Sequence, residues 1–203
     1  MMVTFFTSTD RKRIHKAIHK KYQKVAKNPT GLFKYPTGRA GLEALQYPSE
    51  LINALPEAVA ESYCGVGNPF ALGPINQGEA VLDIGCGSGV DAIFAAMMTG
   101  TSGKVTGIDV SPQMLKRATQ NLALTDLQNI TFEETAADNL PFADQNFDVV
   151  ISNGAFNLVP DKSKAFSEAF RVLRPGGRLM VADQILIGEL PKDKKQIIMS
   201  WSR

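Results

Sequence analysis

In the stretch EAVLDIGCGSGVDAIFAAMMTG, residues 79–100, a short apolar run closes on Asp83, and glycines follow at every second position, Gly85, Gly87 and Gly89, before a helical pattern begins. At the C-terminal end of a parallel strand such a turn lets a ligand approach the backbone, and the following helix offers free N–H groups to negative charge. The loop reads G-C-G-S-G rather than G-x-G-x-x-G and carries no lysine, so it does not suit a pyrophosphate. A carboxylate just ahead of the turn suits a ligand bearing a positive ammonium or sulfonium group instead.

A second acidic residue, Asp109, closes the next strand-like segment, KVTGIDV, where an acidic side chain accepts hydrogen bonds from ribose hydroxyls. Ammonium, sulfonium and ribose together describe S-adenosylmethionine. Cys86, inside the loop, reads as a small space-filling residue rather than a nucleophile.

These residues need a scaffold that brings strand ends together, and the chain supplies its pattern. Strand-like segments fall at 80–85, 104–110, 130–134, 147–153 and 177–183, with helical patterns at 90–98, 112–123 and 163–173 between them. This alternation predicts βαβ units: an α/β, Rossmann-like doubly wound fold with a mostly parallel sheet and helices on both faces. Ahead of it, Ile14, Ile18, Tyr22 and Val25 mark a helix over 9–27, with Ser8, Thr9 or Asp10 as its N-cap and a strongly basic opposite face. A loop-rich passage and a second helix over 49–62 follow. Residues 1–75 are therefore expected to form a helical and looped extension that caps the cofactor site, and 76–203 the cofactor-binding domain.

The 203 residues carry a formal net charge of +2, too mild by itself to argue for nucleic acid, although the basic helix keeps RNA docking or RNA methylation as an alternative. The two cysteines, Cys64 and Cys86, are too few for a disulfide framework or a four-ligand zinc site, so no metal is expected and a reducing cytoplasm is the default compartment. No apolar run reaches the roughly 18 residues of a membrane span.

The segments VLDIGCGSG, GIDVSPQML, AADNLPFADQNFDVVISN and EAFRVLRPGGRLMVAD, in this order, resemble the motif set of class I S-adenosylmethionine-dependent methyltransferases across residues 79–184. The resemblance implies S-adenosylmethionine as cofactor and S-adenosylhomocysteine as product. It implies that the backbone of Gly85, Cys86 and Gly87 lies along the methionine portion, with Asp83 near its amino group and Asp109 on the ribose. Val110 and Met114 would pack on adenine, Asp138 would accept from its amino group with the Ala137 and Asn139 backbone alongside, and Asn153 would sit where the methyl group meets the acceptor. Tyr22 and the turn at Gly67, Asn68 and Pro69 would cover the cofactor. The sequence assigns no catalytic base; His15 and His19 lie on the N-terminal helix without a signal for that role.

A narrower resemblance, carried by KYQKVA, GVGNPFAL and VISNGAFNLVPDKSKAFSEAFRVLRPGGRL, extends to the arsenite methyltransferase branch, in which related stretches hold cysteines at the positions of Val66 and Gly154. Trivalent arsenic needs converging thiolates, which these residues do not supply, so a small-molecule carbon, nitrogen or oxygen acceptor is expected rather than arsenite. Only five strand candidates are present, without the usual C-terminal strand pair. This leaves a cofactor-binding remnant or fragment as the competing expectation, and an open sheet edge that favours a homodimer. Ile197, Ile198 and Trp201 are expected to form an apolar surface.

Overall fold

The computed structural model describes residues 6–185 and residue 187; Ile197, Ile198 and Trp201 lie outside them. Five parallel strands, β1 (Ala80–Ile84), β2 (Lys104–Asp109), β3 (Ile130–Glu134), β4 (Phe147–Asn153) and β5 (Leu173–Ala182), form one sheet in the order β3-β2-β1-β4-β5. The order reverses at β1, between β2 and β4. In open sheets of this kind the crevice beyond that point is where ligands bind.

Because side chains alternate along a strand, each strand serves two cores. Val81, Val105, Val149 and Ile151 face α5 (Val90–Thr99) and the chain's first half, including Leu42 in α2 (Gly38–Ala44), Ile52 in α3 (Ser49–Ala54) and Val59 in α4 (Glu57–Ala60). Leu82, Ile84, Ile108 and Val150 face Ala165, Ala169 and Val172 of α7 (Lys162–Val172). α6 (Pro112–Leu122) packs on β2 and β3. The expected helix over 49–62 is two short ones, since Pro56 lacks an N–H and ends α3 before α4 starts.

α1 (Ser8–Val25) is capped one residue earlier than the sequence suggested. Thr7 is the N-cap, its side chain accepting from the Asp10 N–H at 3.2 Å while Asp10 Oδ2 accepts from the Thr7 N–H at 2.9 Å. Arg11 meets Asp161, the N-cap of α7, at 3.7 Å, and the helix also packs on α6. α1 thus runs from one side of the sheet's C-terminal rim to the other.

The RPGG turn lies within β5 rather than ahead of it. Phe147 pairs with Leu173 but Val149 pairs with Arg178, so Arg174–Gly177 bulge out of the ladder, with Gly176 at φ +81°. Arg174 anchors the bulge on Asp148, whose Oδ2 also accepts from the Ala80 N–H at 2.8 Å.

Phe94 is the largest fully buried side chain and stands against Tyr47 and Phe70, with ring centroids 5.4 and 6.4 Å away. Phe94→Ala is expected to destabilise the fold by about 3–5 kcal/mol in urea unfolding, whereas Phe170→Ala, at a side chain 79% exposed, stays within about 0.5 kcal/mol. Equal effects would show that the first core does not hold the two halves together.

Candidate functional site

Asp83, Asp109 and Asn153 end three neighbouring strands, and their registers put them on the same face as Val81, Val105 and Ile151. Between β1 and α5 the chain takes positive φ at Gly85, Gly87 and Gly89, +74°, +54° and +81°. A Cβ on Gly85 would overlap the Ala155 methyl, and one on Gly89 would stand 2.8 Å from the Phe132 ring, so two of the three positions exclude side chains by space as well as by dihedral angle. The N–H groups of Gly85 and Cys86 both donate to the Ile108 carbonyl, at 2.8 and 2.9 Å, and fold the loop over the end of β2. Asp109 completes the turn: Oδ2 accepts from the Gly87 N–H at 3.0 Å and Oδ1 from the Ser111 N–H at 2.8 Å.

Asp91, in the first turn of α5, adds a third carboxylate, buried like that of Asp83. Burial pushes Asp83 well above the usual carboxylate range, helped by the charges of Asp91 and Asp109. It raises Asp91 to about 6, and it raises Asp109 despite the backbone N–H groups of Ser111 and Gly87. Their partners differ. Asp91 is fully satisfied by Tyr47 and Asn153, while Asp83, only 1% exposed, leaves Oδ2 without a partner among the described residues. An orphaned buried carboxylate oxygen carries a large penalty unless a cation reaches it.

A cavity of about 1010 Å³ opens over these residues. Asp83, the 85–88 loop, Asp91, Asp109, Val110, Ala137 and Asp138 form its floor, and His15, Ile18, His19, Lys21 and Tyr22 of α1 form its roof. The remaining walls come from 32–35, 63–66 and 153–160. Met114 and Asn139 are not on the cavity wall. Met114 is fully buried beneath the loop, its Cε 3.2 Å from where a Cβ of Gly87 would stand, so it supports the turn instead of facing the cavity. The Gly67-Asn68-Pro69 turn is structural too: Asn68 Oδ1 caps the short 3₁₀ turn Pro69–Leu72 through the Phe70 N–H at 3.0 Å. Cys86 is buried against Gly107, its thiol pushed well up by desolvation, in keeping with a space-filling part.

Several wall residues lay beyond the sequence reading. His19 faces Asp109 closely enough to favour its ionised form, and His15 lies one helical turn away on the same face; their four-residue spacing beside Ile14 and Ile18 was the available signal. Lys21 sits 4.7 Å over the Phe33 ring, and Tyr35 donates to the Cys64 carbonyl at 3.2 Å. Burial raises the Cys64 thiol to about 12. Val66 and Gly154 are neighbours, a Cβ on Gly154 falling 3.3 Å from both Val66 methyl carbons. Arg171 fixes the segment bearing Ala137 and Asp138, donating to the carbonyls of Leu140 and Phe142 at 3.0 and 2.7 Å and pairing with Glu168 and Asp144 at 2.8 Å each. Among the described residues no group of three or more His, Cys, Asp or Glu is placed to hold a metal ion.

Asn153 lines the cavity, and its amide is engaged by protein groups. Its Oδ1 accepts from the Val66 and Gly67 N–H groups at 2.8 and 3.1 Å, and its Nδ2 donates to the Gly67 carbonyl and Asp91 Oδ2 at 2.7 and 2.9 Å. Its amide staples the 64–67 loop to β4.

Comparison with known proteins agrees with this geometry. The family model described as a methyltransferase domain matches residues 75–203. The chain is 38% identical over 157 residues to an arsenite methyltransferase of Halobacterium salinarum, covering 77% of this chain and 40% of that protein. It is 39% identical over 115 residues to the 27-O-demethylrifamycin SV methyltransferase of Amycolatopsis mediterranei, covering 56% and 42%. The crystal structure of an arsenic(III) S-adenosylmethionine methyltransferase from Chlamydomonas reinhardtii superposes with a TM-score of 0.60 at 37% identity, over 73% of this chain and 49% of that one. The chain thus spans about half the length of the curated relatives it matches. With the motif order, the strand order and the glycine turn under Asp83 all in agreement, the chain belongs to the methyltransferase-domain family, in its class I S-adenosylmethionine-dependent form.

Proposed function

We propose that this chain binds S-adenosylmethionine and transfers its methyl group to a small-molecule acceptor. The observation that carries the reading is the orphaned Oδ2 of Asp83, buried at the lip of a turn in which Gly85 and Gly89 leave no room for a Cβ. Asp83 would hold the ammonium of the cofactor, Asp109 keeps lone pairs for ribose hydroxyls beyond the two N–H groups it accepts, and Asp138 and Val110 would border the adenine. Bound there, the cofactor supplies a methyl group already activated by its sulfonium. What remains for the protein is positioning and exclusion of water, the work of the α1 roof and the 32–35 and 64–66 walls. In this reading residues 1–75 are the cap and 76–203 the cofactor domain.

The acceptor is an organic molecule rather than arsenite: Val66 and Gly154, side by side on the acceptor wall, offer no thiolate, and the one thiol nearby, Cys64, is held protonated. A volume of about 1010 Å³ at the upper end for small-molecule sites suits a cofactor with a compact acceptor, and it supports this reading over RNA methylation. No helix of the described residues is long and apolar enough to cross a membrane. Two unpaired cysteines favour a cytoplasmic setting, and the outer edge of β5, which no described strand pairs, would be where a second copy pairs.

Calorimetric titration should give micromolar binding of S-adenosylmethionine and S-adenosylhomocysteine, and Asp109→Ala should weaken both by at least about tenfold, or ~1.4 kcal/mol. Absence of binding by the folded chain would sink the reading. Where binding holds, methyl-transfer assays across a metabolite panel separate an active enzyme from a cofactor-binding remnant, and turnover of arsenite above that of organic acceptors would overturn the substrate assignment.

The raised carboxylates also fix a pH dependence. A folded pKa above the unfolded one stabilises the free protein at low pH, and that contribution is lost as pH rises through about 6, the Asp91 value. A cationic ligand favours the ionised carboxylates, so binding expels protons. Affinity for S-adenosylmethionine should therefore rise with pH through about 6, with proton release seen as different calorimetric heats in buffers of different ionisation enthalpy. A flat profile would mean that the carboxylates are already ionised in the free protein.

A further inference from the structure

Behind the cavity, five groups from four distant parts of the chain meet in one polar knot. The Tyr47 hydroxyl donates to Asp91 Oδ1 at 2.7 Å and stands 3.0 Å from both the Gly67 carbonyl and the Tyr63 hydroxyl, which itself reaches the Gly67 carbonyl at 2.9 Å. Asn153 closes the knot through its Oδ1 on the Val66 and Gly67 N–H groups and its Nδ2 on Gly67 and Asp91. Tyr47 and Tyr63 are 4% and 2% exposed.

The hydrogen count is informative. The two tyrosines bring one hydroxyl hydrogen each and the Asn153 amide two. An ionised Asp91 and the Gly67 carbonyl accept all of them, and the network closes through the Tyr47 hydroxyl, which is within reach of Asp91 Oδ1, the Tyr63 hydroxyl and the Gly67 carbonyl at once. Asp91 sits in the first turn of the helix that follows the glycine loop, on the cofactor side, and the segment it holds, 64–67, carries Cys64 and Val66 on the acceptor side.

We propose that Tyr47, which does not itself line the cavity, is a positioning residue that ties the acceptor wall to the cofactor helix through Asp91, so that filling the cofactor site and setting the acceptor wall are coupled. This rests on the cofactor reading above. Asp91 lines the same cavity as Asp83, so a ligand seated there bears on the helix turn to which the knot is tied, and the closed knot holds residues 64–67 against β4. Of the two cysteines, Cys64 is on that segment, half-buried, while Cys86 is on the cofactor loop.

The test is Tyr47→Phe, which removes the hydroxyl and keeps the ring packed on Phe94 and Phe70. Alkylation by iodoacetamide is followed at Cys64 and Cys86 separately by peptide mass mapping, with and without saturating S-adenosylhomocysteine. Without ligand, Cys64 should be labelled at least about tenfold faster in the variant, with Cys86 unchanged; wild-type labelling of Cys64 in a folded variant would overturn the positioning role. With ligand bound, affinity should stay within about threefold of wild type while protection of Cys64 falls at least about fivefold. Equal protection in both proteins would mean simple shielding by the ligand and would overturn the coupling. If Cys86 labelling also rises, the variant has loosened globally, and Tyr63→Phe, which removes the partner hydroxyl, is read by the same criteria. Should neither protein bind S-adenosylhomocysteine, it is the cofactor reading that fails, and the ligand-free comparison still decides the positioning role.

Discussion

Three carboxylates stand together at the ends of β1 and β2 and the start of α5, two of them buried, and the architecture around them follows from that constraint. Charge in a medium of low dielectric must be neutralised, hydrogen-bonded or paired. Asp109 is stabilised by two backbone N–H groups, which the glycine turn and the turn into α6 supply. Asp91 is stabilised by a tyrosine hydroxyl and a side-chain amide brought from far along the chain. Asp83 receives the Ala92 N–H and keeps one oxygen bare. Two of three neighbouring acids are satisfied and the third keeps an oxygen without a partner among the described residues, the feature on which the cofactor proposal rests.

The remaining elements make this arrangement tolerable. Positive φ at the three glycines brings the backbone close enough to Asp109 for its N–H groups to be used, and Met114 fills the space beneath. α1 runs across the rim from Asp161 to α6 and roofs the cavity, its His19 offsetting part of the acidic floor at Asp109. The polar knot at Tyr47 and Asn153 does for the 64–67 wall what the glycine turn does for the 85–89 wall: it ties a loop to the sheet by hydrogen bonds. Both use Asp91 or its immediate neighbours. The two halves of the cavity therefore rest on one short stretch of chain, residues 83–91.

Much of this was legible in the linear sequence, and for local reasons. The five strands and the helices between them follow from runs of apolar residues bounded by glycine and polar clusters, which is why the ranges agree within a few residues. The exceptions have local causes too: Pro56 divides one expected helix, and the RPGG bulge lies inside the last ladder because Arg174 finds Asp148 across the strand pair. Asp83, Asp109 and Asp138, which all line the cavity, were legible as a group because each stands beside a turn with its own composition. Met114 and the Gly67–Pro69 turn were read as ligand-facing and are not on the cavity wall, while Asn153 lines the cavity with its amide engaged by protein partners, since the motif gives proximity along the chain but not the direction of a side chain.

The sequence by itself determined the alternating pattern, the place of the glycine turn and the order of the acidic residues, because these depend on periodicities of two and 3.6 residues and on the dihedral freedom of glycine. Tertiary contacts alone settled which of three acids keeps an oxygen without a partner among the described residues, which face of α1 turns its histidines and Lys21 to the cavity, and that Val66 and Gly154 stand side by side. Those facts depend on contacts between segments 44 to 106 residues apart, such as Tyr47 with Asp91 and with Asn153. Burial, which sets the charge state of each carboxylate, exists only once those segments have closed over them.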